Sequence, residues 1–227
     1  PHIEMTLETL RQRGVDARAI DERTWRVEPG AISGGRVVIE PDLSNAGPFL
    51  AAAMVTGGEV RIPLWPASTT QVGAEFERIL PLMGAKVSRS GSDLVLQGTR
   101  SIQGIDIDLS IGGELAPVIA GLAALADSPS RITGIAHLRG HETDRLKALT
   151  TEINRIGGNC QELPDGLEIR PAKLHGGKWH TYEDHRMATT GALIGLAVAG
   201  VEVENIATTS KTMPEFAKLW TQMLESR

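Results

Sequence analysis

The chain is short of several things, and each shortage excludes a class of protein. It holds one cysteine, Cys160, in 227 residues. No internal disulfide framework is possible, and a reducing, cytoplasmic setting is expected. Cys160 falls in a predicted hairpin and reads as structural. Aromatics are scarce, at 4%. Positive charge is not in surplus: the net charge is −5. Neither nucleic acid nor an anionic membrane is therefore the expected partner, and an anionic ligand would have to be held by local cations. No apolar run reaches membrane-spanning length, and no signal peptide is visible. The chain also lacks an initial methionine, starting at Pro1; processing, or a cut from a longer protein, is the expectation.

What is present is a repeat. Residues 1–13 read as an amphipathic helix, with strands at 15–19 and 24–27. Then come strand 36–40, a helix from about Asn45 with Ser44 as its cap, strand 59–62, helix 71–83 and hairpin 86–89/93–97. The order recurs as strand 105–109, helix 114–126, strand 131–135, helix 143–156 and hairpin 159–163/166–170. A third pass gives strand 178–181, helix 186–199, strand 201–206 and helix 214–224. Gly14, Gly84 and Gly157, which end helices, stand 70 and 73 apart. The mouths of the first helices, at Asp42, Glu114 and His185, stand 72 and 71 apart. A fixed period at several landmarks marks a repeated unit, here βαβαββ. Apolar helices and short strands imply a mixed α/β (α+β) fold with helices packed inside sheets around a pseudo-threefold axis. The chain enters the repeat in mid-unit and leaves it before a closing hairpin, so it reads as a piece of a longer protein. A boundary is expected near Pro29–Gly35, where glycine and proline cluster.

Polar residues fall at equivalent places in the units. If the units pack around a threefold axis, the helix mouths gather Glu114, His137, His141, Glu142, Arg145, His185, Arg186 and Lys211. Cations and histidines at helix N-termini suit phosphate and carboxylate groups. Glu114, Glu142 and a lysine are the available proton carriers. Each residue also has a plainer reading. Asp184 can simply cap a helix, with Arg186 as a first-turn charge. Thr212 and Glu215 make a capping box with Pro214 in the first turn, leaving Lys211 a solvated charge. Glu142 can serve a helix start, and Arg145 can pair with Glu142 or Asp144. His137 and His141, with His185, have metal-like spacing. Gly140 and three nearby cations weigh against a metal, and none is expected.

The runs Arg139-Gly140-His141-Glu142-Thr143-Asp144-Arg145 and Tyr182-Glu183-Asp184-His185-Arg186-Met187-Ala188 closely resemble the 3-phosphoshikimate 1-carboxyvinyltransferase (EPSP synthase) family. So do Pro41-Asp42-Leu43-Ser44-Asn45 and Thr209-Ser210-Lys211-Thr212-Met213-Pro214. The resemblance covers essentially the whole chain and leans to the actinobacterial type. It implies two domains of three βαβαββ units each, with the active site in the cleft between them. Residues 1–35 would then end the N-terminal-half domain, and 36–227 would form the C-terminal domain. Arg145, Arg186 and Lys211 match the family's phosphoenolpyruvate ligands. Glu114 matches the acceptor facing the shikimate hydroxyl, usually Asp. Glu142 matches the proposed proton donor, with His185 in the same pocket. His137 and His141 stand where many members have Asn and Lys on the shikimate-phosphate side, and His2 at another such contact. The family's N-terminal Lys, Arg, Ser and Gln ligands are absent. The implied reaction transfers enolpyruvyl from phosphoenolpyruvate to the 5-hydroxyl of shikimate-3-phosphate without a cofactor, in a monomeric enzyme. The chain alone is expected to be inactive without its other half. Two alternatives stand beside this: an anion-binding or scaffold domain, and a UDP-N-acetylglucosamine enolpyruvyl transferase.

Overall fold

The computed structural model describes residues 2–226. Its frame is three apolar helices in contact with one another: α2 (Leu43–Thr56), α4 (Ala116–Ala124) and α6 (His185–Gly195). Ala, Leu, Ile and Met dominate them; all nine residues of α4 are buried, as are nine of the fourteen of α2 and eight of the eleven of α6. Helices this apolar cannot face water along most of their length, so each must be largely enclosed. The enclosure comes from sheets outside them, one per repeat. Gly191 on α6 shows how close the layers lie. A Cβ there would sit 2.5 Å from the Trp179 ring.

The middle repeat is complete. Its sheet runs β6 (Asp106–Asp108), β7 (Ser130–Thr133), β9 (Gly166–Arg170), β8 (Asn159–Leu163) in spatial order β6-β7-β9-β8. β6 and β7 are parallel because α4 crosses between them, and β8 and β9 form an antiparallel hairpin. The first repeat contributes β3 (Glu59–Ile62), β4 (Lys86–Ser90) and β5 (Asp93–Gln97) in order β3-β5-β4. The third contributes the parallel pair β10 (Gly177–Trp179) and β11 (Val201–Val203). Outer helices α3 (Phe76–Leu82), α5 (Arg145–Arg155) and α7 (Phe216–Glu225) complete the units. Phe216 and Trp220 of α7 pack on Phe49 of α2, with ring centroids 5.6 Å apart in each case. Ahead of the repeats, α1 (His2–Gln12) and the hairpin β1 (Ala17–Asp21)/β2 (Thr24–Val27) carry a small core of their own, Leu7, Val15 and Ala17.

Three local expectations are corrected. The strand predicted at 36–40 does not form; among the described residues, 28–42 make no helix or strand. Val37, Val38 and Ile39 are β-branched, but they lie exposed, Val38 at 83%, and no ladder pairs them with β3. Propensity without a paired neighbour makes extended chain, not sheet. The cap of α2 is Asp42, not Ser44: its carboxylate accepts from the Asn45 amide at 3.0 Å. The Thr212–Glu215 capping box is also not made. The chain turns through a 3₁₀ segment at Ile206–Lys211, and α7 starts only at Phe216, without a side-chain cap.

Candidate functional site

The site is assembled at helix N-termini. Asp184 caps α6 and accepts from the Arg186 amide at 2.8 Å. The same carboxylate grips the guanidinium of Arg145, the first residue of α5. Nε donates to Oδ2 at 2.7 Å and Nη2 to Oδ1 at 3.3 Å. Both side chains are buried, Arg145 at 1% exposure. A buried cation is tolerated only with a close counter-charge and saturated donors. Arg145 meets that demand by also donating to Glu142 Oε2 at 2.8 Å, with its Nη1 3.2 Å from His141 Nδ1.

Glu142 is the junction of this cluster. Lys211, at the end of the 3₁₀ turn before α7, donates its ammonium to Oε1. His185 Nδ1 stands 3.9 Å from the same oxygen. Burial pushes the Glu142 carboxyl up. The Lys211 hydrogen bond, its own backbone amide and the charges of Arg145 and Lys211 outweigh that and hold it at about 2. His185 is pushed down by burial and by the neighbouring arginines, so it is held neutral near pH 7. Its Nδ1 is buried without a hydrogen-bond partner among the described residues.

Arg186 ties the three repeats together. Its Nη2 lies 3.1 Å from Ser44 Oγ at the mouth of α2 and 3.6 Å from Glu114 Oε2 at the mouth of α4. One side chain on α6 thus touches the other two inner-helix mouths. Burial pulls its pKa below the usual arginine value, with Glu114 opposing. Glu114 sits in a 3₁₀ turn, Gly113–Leu115, and faces His2 Nε2 at 3.8 Å. His2, Ser44, Glu114 and Arg186 line a cavity of about 220 Å³. An adjoining one of about 130 Å³ shares His2 and Glu114 and adds His137 and His141. The His137 and His141 rings stand 5.9 Å apart, and burial followed by the Arg145 charge lowers the His141 pKa. The turn carrying them is tied down by Arg139, which bonds Glu162 and Asp144 and donates to the Leu163 carbonyl at 2.9 Å. Gly113 leaves room for the ring: a Cβ there would lie 2.3 Å from His137 Nε2 and would displace it.

All nine site residues predicted from the sequence therefore lie in two adjoining groups: Glu142, Arg145, His185, Lys211 and His141 in one, and Glu114, Arg186, His2 and His137 in the other. Sequence reasoning missed two partners. Asp184 reads as a cap, and only the fold reveals its grip on Arg145, 39 residues away. Ser44 reads as a cap and instead meets Arg186. The motifs around Asp184 and around Ser44 were the available signals, and neither names the partner across the fold.

Known proteins fit this arrangement. The sequence model of EPSP synthase, 3-phosphoshikimate 1-carboxyvinyltransferase, matches residues 1–220. The chain belongs to the EPSP synthase family. The 3-phosphoshikimate 1-carboxyvinyltransferase of Kocuria rhizophila is 59% identical over 226 residues, covering 100% of this chain and 51% of that protein. The chain thus spans about half the length of this relative. An EPSP synthase structure from Acinetobacter baumannii superposes with a TM-score of 0.78 at 25% identity, over 95% of this chain and 53% of that one. The enolpyruvyl transferase NikO from Streptomyces tendae shares the fold, with a TM-score of 0.69 at 19% identity over 94% of this chain and 51% of that one. The α/β architecture of repeated units belongs with these enolpyruvyl transferases. Among the described residues, no helix is long and apolar enough to cross a membrane.

Proposed function

We propose that this chain carries the phosphoenolpyruvate-binding half of an enzyme that transfers enolpyruvyl to the 5-hydroxyl of shikimate-3-phosphate and releases phosphate. The observation that carries it is the gathering of three cations around Glu142, Asp184 and Glu114, in a chain of this family: Arg145 at the N-terminus of α5, Arg186 at that of α6, and Lys211 in the turn before α7. Both substrates are polyanions. Fixed cations and helix dipoles offset their repulsion and align the hydroxyl oxygen with C2 of phosphoenolpyruvate. The C–O bond forms as C3 takes a proton. Phosphate then leaves as C3 gives the proton back.

Glu142 is suited to that shuttle by its cation contacts. Held at about 2, it is a carboxylate before substrate arrives. An anion that draws Lys211 and Arg145 away removes what depresses its pKa, and the carboxyl then gains proton affinity where C3 needs a donor. Glu114, beside Arg186 and His2, faces the other cavity and is assigned the hydroxyl proton, with Lys211 as its partner. His137 and His141 are assigned to the shikimate-phosphate side, and His185 to the phosphoenolpyruvate pocket. The same reading gives 1–35 to the end of a preceding domain, supported by its separate small core, and 36–227 to the C-terminal one. It takes the protein as a cytoplasmic monomer without nucleic-acid partners; the single cysteine supports the compartment and the net charge of −5 the absence of nucleic acid.

The test is substrate consumption by the intact parent enzyme. Shikimate-3-phosphate and phosphoenolpyruvate are expected to be consumed one for one with phosphate release, with Arg145→Ala abolishing it. Consumption of UDP-N-acetylglucosamine instead would overturn the acceptor assignment.

A further inference from the structure

Glu152 lies near the C-terminal end of α5 and is fully buried, yet it touches none of the clustered anion-site residues. A carboxylate is disfavoured both by burial and by that end of the helix dipole. Its oxygens are nevertheless saturated. Oε1 accepts from the Tyr182 hydroxyl at 2.7 Å, and Oε2 accepts from the His180 amide at 3.0 Å and from Arg155 Nε at 3.1 Å. Two of those donors belong to the segment that leads into α6.

That segment is strained. The Thr181 carbonyl accepts from the Asp184 amide at 2.8 Å, closing a four-residue turn. Both central residues, Tyr182 (φ 54) and Glu183 (φ 55), occupy the left-handed region without being glycine. Two such residues in succession are costly and persist only where the surroundings over-determine them. Glu152 grips the turn at His180, just before it, and at Tyr182, inside it. The residue that leaves the turn is Asp184, which caps α6 and holds Arg145.

We propose that Glu152 is a positioning residue: by clamping the 181–184 turn from α5 it sets Asp184, and through Asp184 it aims Arg145 and the α6 N-terminus at the bound anion. The inference rests on the anion-site reading above for its consequence, but not for its geometry. Tyr182→Phe removes one grip and keeps the ring. Glu152→Leu removes both, and Glu152→Gln retains one acceptor for the His180 amide and an amide that can donate to the phenol oxygen. Ile169→Val, a buried truncation on β9 outside the turn, is the control for general loosening.

The experiment titrates the 227-residue chain and these variants with inorganic phosphate, following the Arg145 Nε–Hε and His185 ring signals by NMR. Tyr182→Phe is expected to weaken phosphate about fivefold, part of the worth of a hydrogen bond to a carboxylate. It should also shift the Arg145 Nε–Hε signal before any phosphate is added. Glu152→Gln and Ile169→Val should stay near wild type. Tyr182→Phe needs no Glu152→Leu result beside it, should the latter fail to fold. An unmoved Arg145 signal and unchanged affinity in Tyr182→Phe would overturn the proposal, as would an equal loss in Ile169→Val. If the wild-type chain binds no phosphate, the anion-site reading fails, and the Arg145 signal still decides the role of Glu152.

Discussion

Asp184→Asn separates the charge of this residue from its capping. Asparagine caps a helix about as well as aspartate, so the hydrogen bonds to the α6 amides survive. What is lost is the counter-charge of Arg145, which lies buried with Nε 2.7 Å from Oδ2. Breaking one side of a buried pair typically costs about 3–5 kcal/mol, because the remaining charge is left uncompensated. Glu142, 2.8 Å from Nη2, remains as partial compensation, so the lower figure of about 3 kcal/mol is expected. For a chain of this size that lowers the urea midpoint by roughly 1 M, a large part of ordinary domain stability. Urea denaturation of the two proteins, followed by circular dichroism, measures it. Phosphate should narrow the gap, because an anion at the site supplies the negative charge that the substituted amide lacks. A loss under about 0.5 kcal/mol would refute the reasoning, since exposed pairs are worth that little. A gap that widens with phosphate would refute it equally.

Glu142→Gln frees Lys211 and Arg145 from a competing carboxylate. Phosphate affinity by calorimetry should rise about fivefold, an exposed-pair value of about 1 kcal/mol, while turnover of the intact enzyme falls. Because the folded Glu142 pKa is depressed to about 2 from 4.5, its contribution to stability is complete above about 4.5 and is lost as pH falls through 2. Urea midpoints between those pH values should therefore decline less steeply in Glu142→Gln than in wild type. Gly113→Ala places a Cβ 2.3 Å from His137 Nε2, and His137 is exposed enough to swing away. The expected result is a several-fold higher KM for shikimate-3-phosphate in the intact enzyme, with little change in Tm.

The repeat was legible because its landmarks are local. Gly14, Gly84 and Gly157 all have positive φ (78, 103 and 89), which is why glycine stops each helix and why the period can be read. The apolar runs of α2, α4 and α6 likewise announce buried helices. Other features depend on what lies across the fold. Asp42 and Ser44 are both good caps two residues apart; in the fold Ser44 lies inside the first turn, donates to Asp42 at 2.8 Å and accepts from Arg186 at 3.1 Å, a partner no local pattern reports. The 36–40 segment has strand composition, but strand formation needs a ladder that no local pattern reports. The pairs Arg145–Asp184 and Glu152–Tyr182 join residues 39 and 30 apart with no periodic signal between them. The candidate site was legible as a set of residue types; how they hold one another was not.

The central claim is that this surface is one wall of a composite transferase site. The direct measurement is phosphate release from phosphoenolpyruvate and shikimate-3-phosphate by this chain alone, and by this chain mixed with the remaining half of its parent. The account predicts release only when both halves are present, because closure brings the two ligand sets together. Turnover by this chain alone would contradict it.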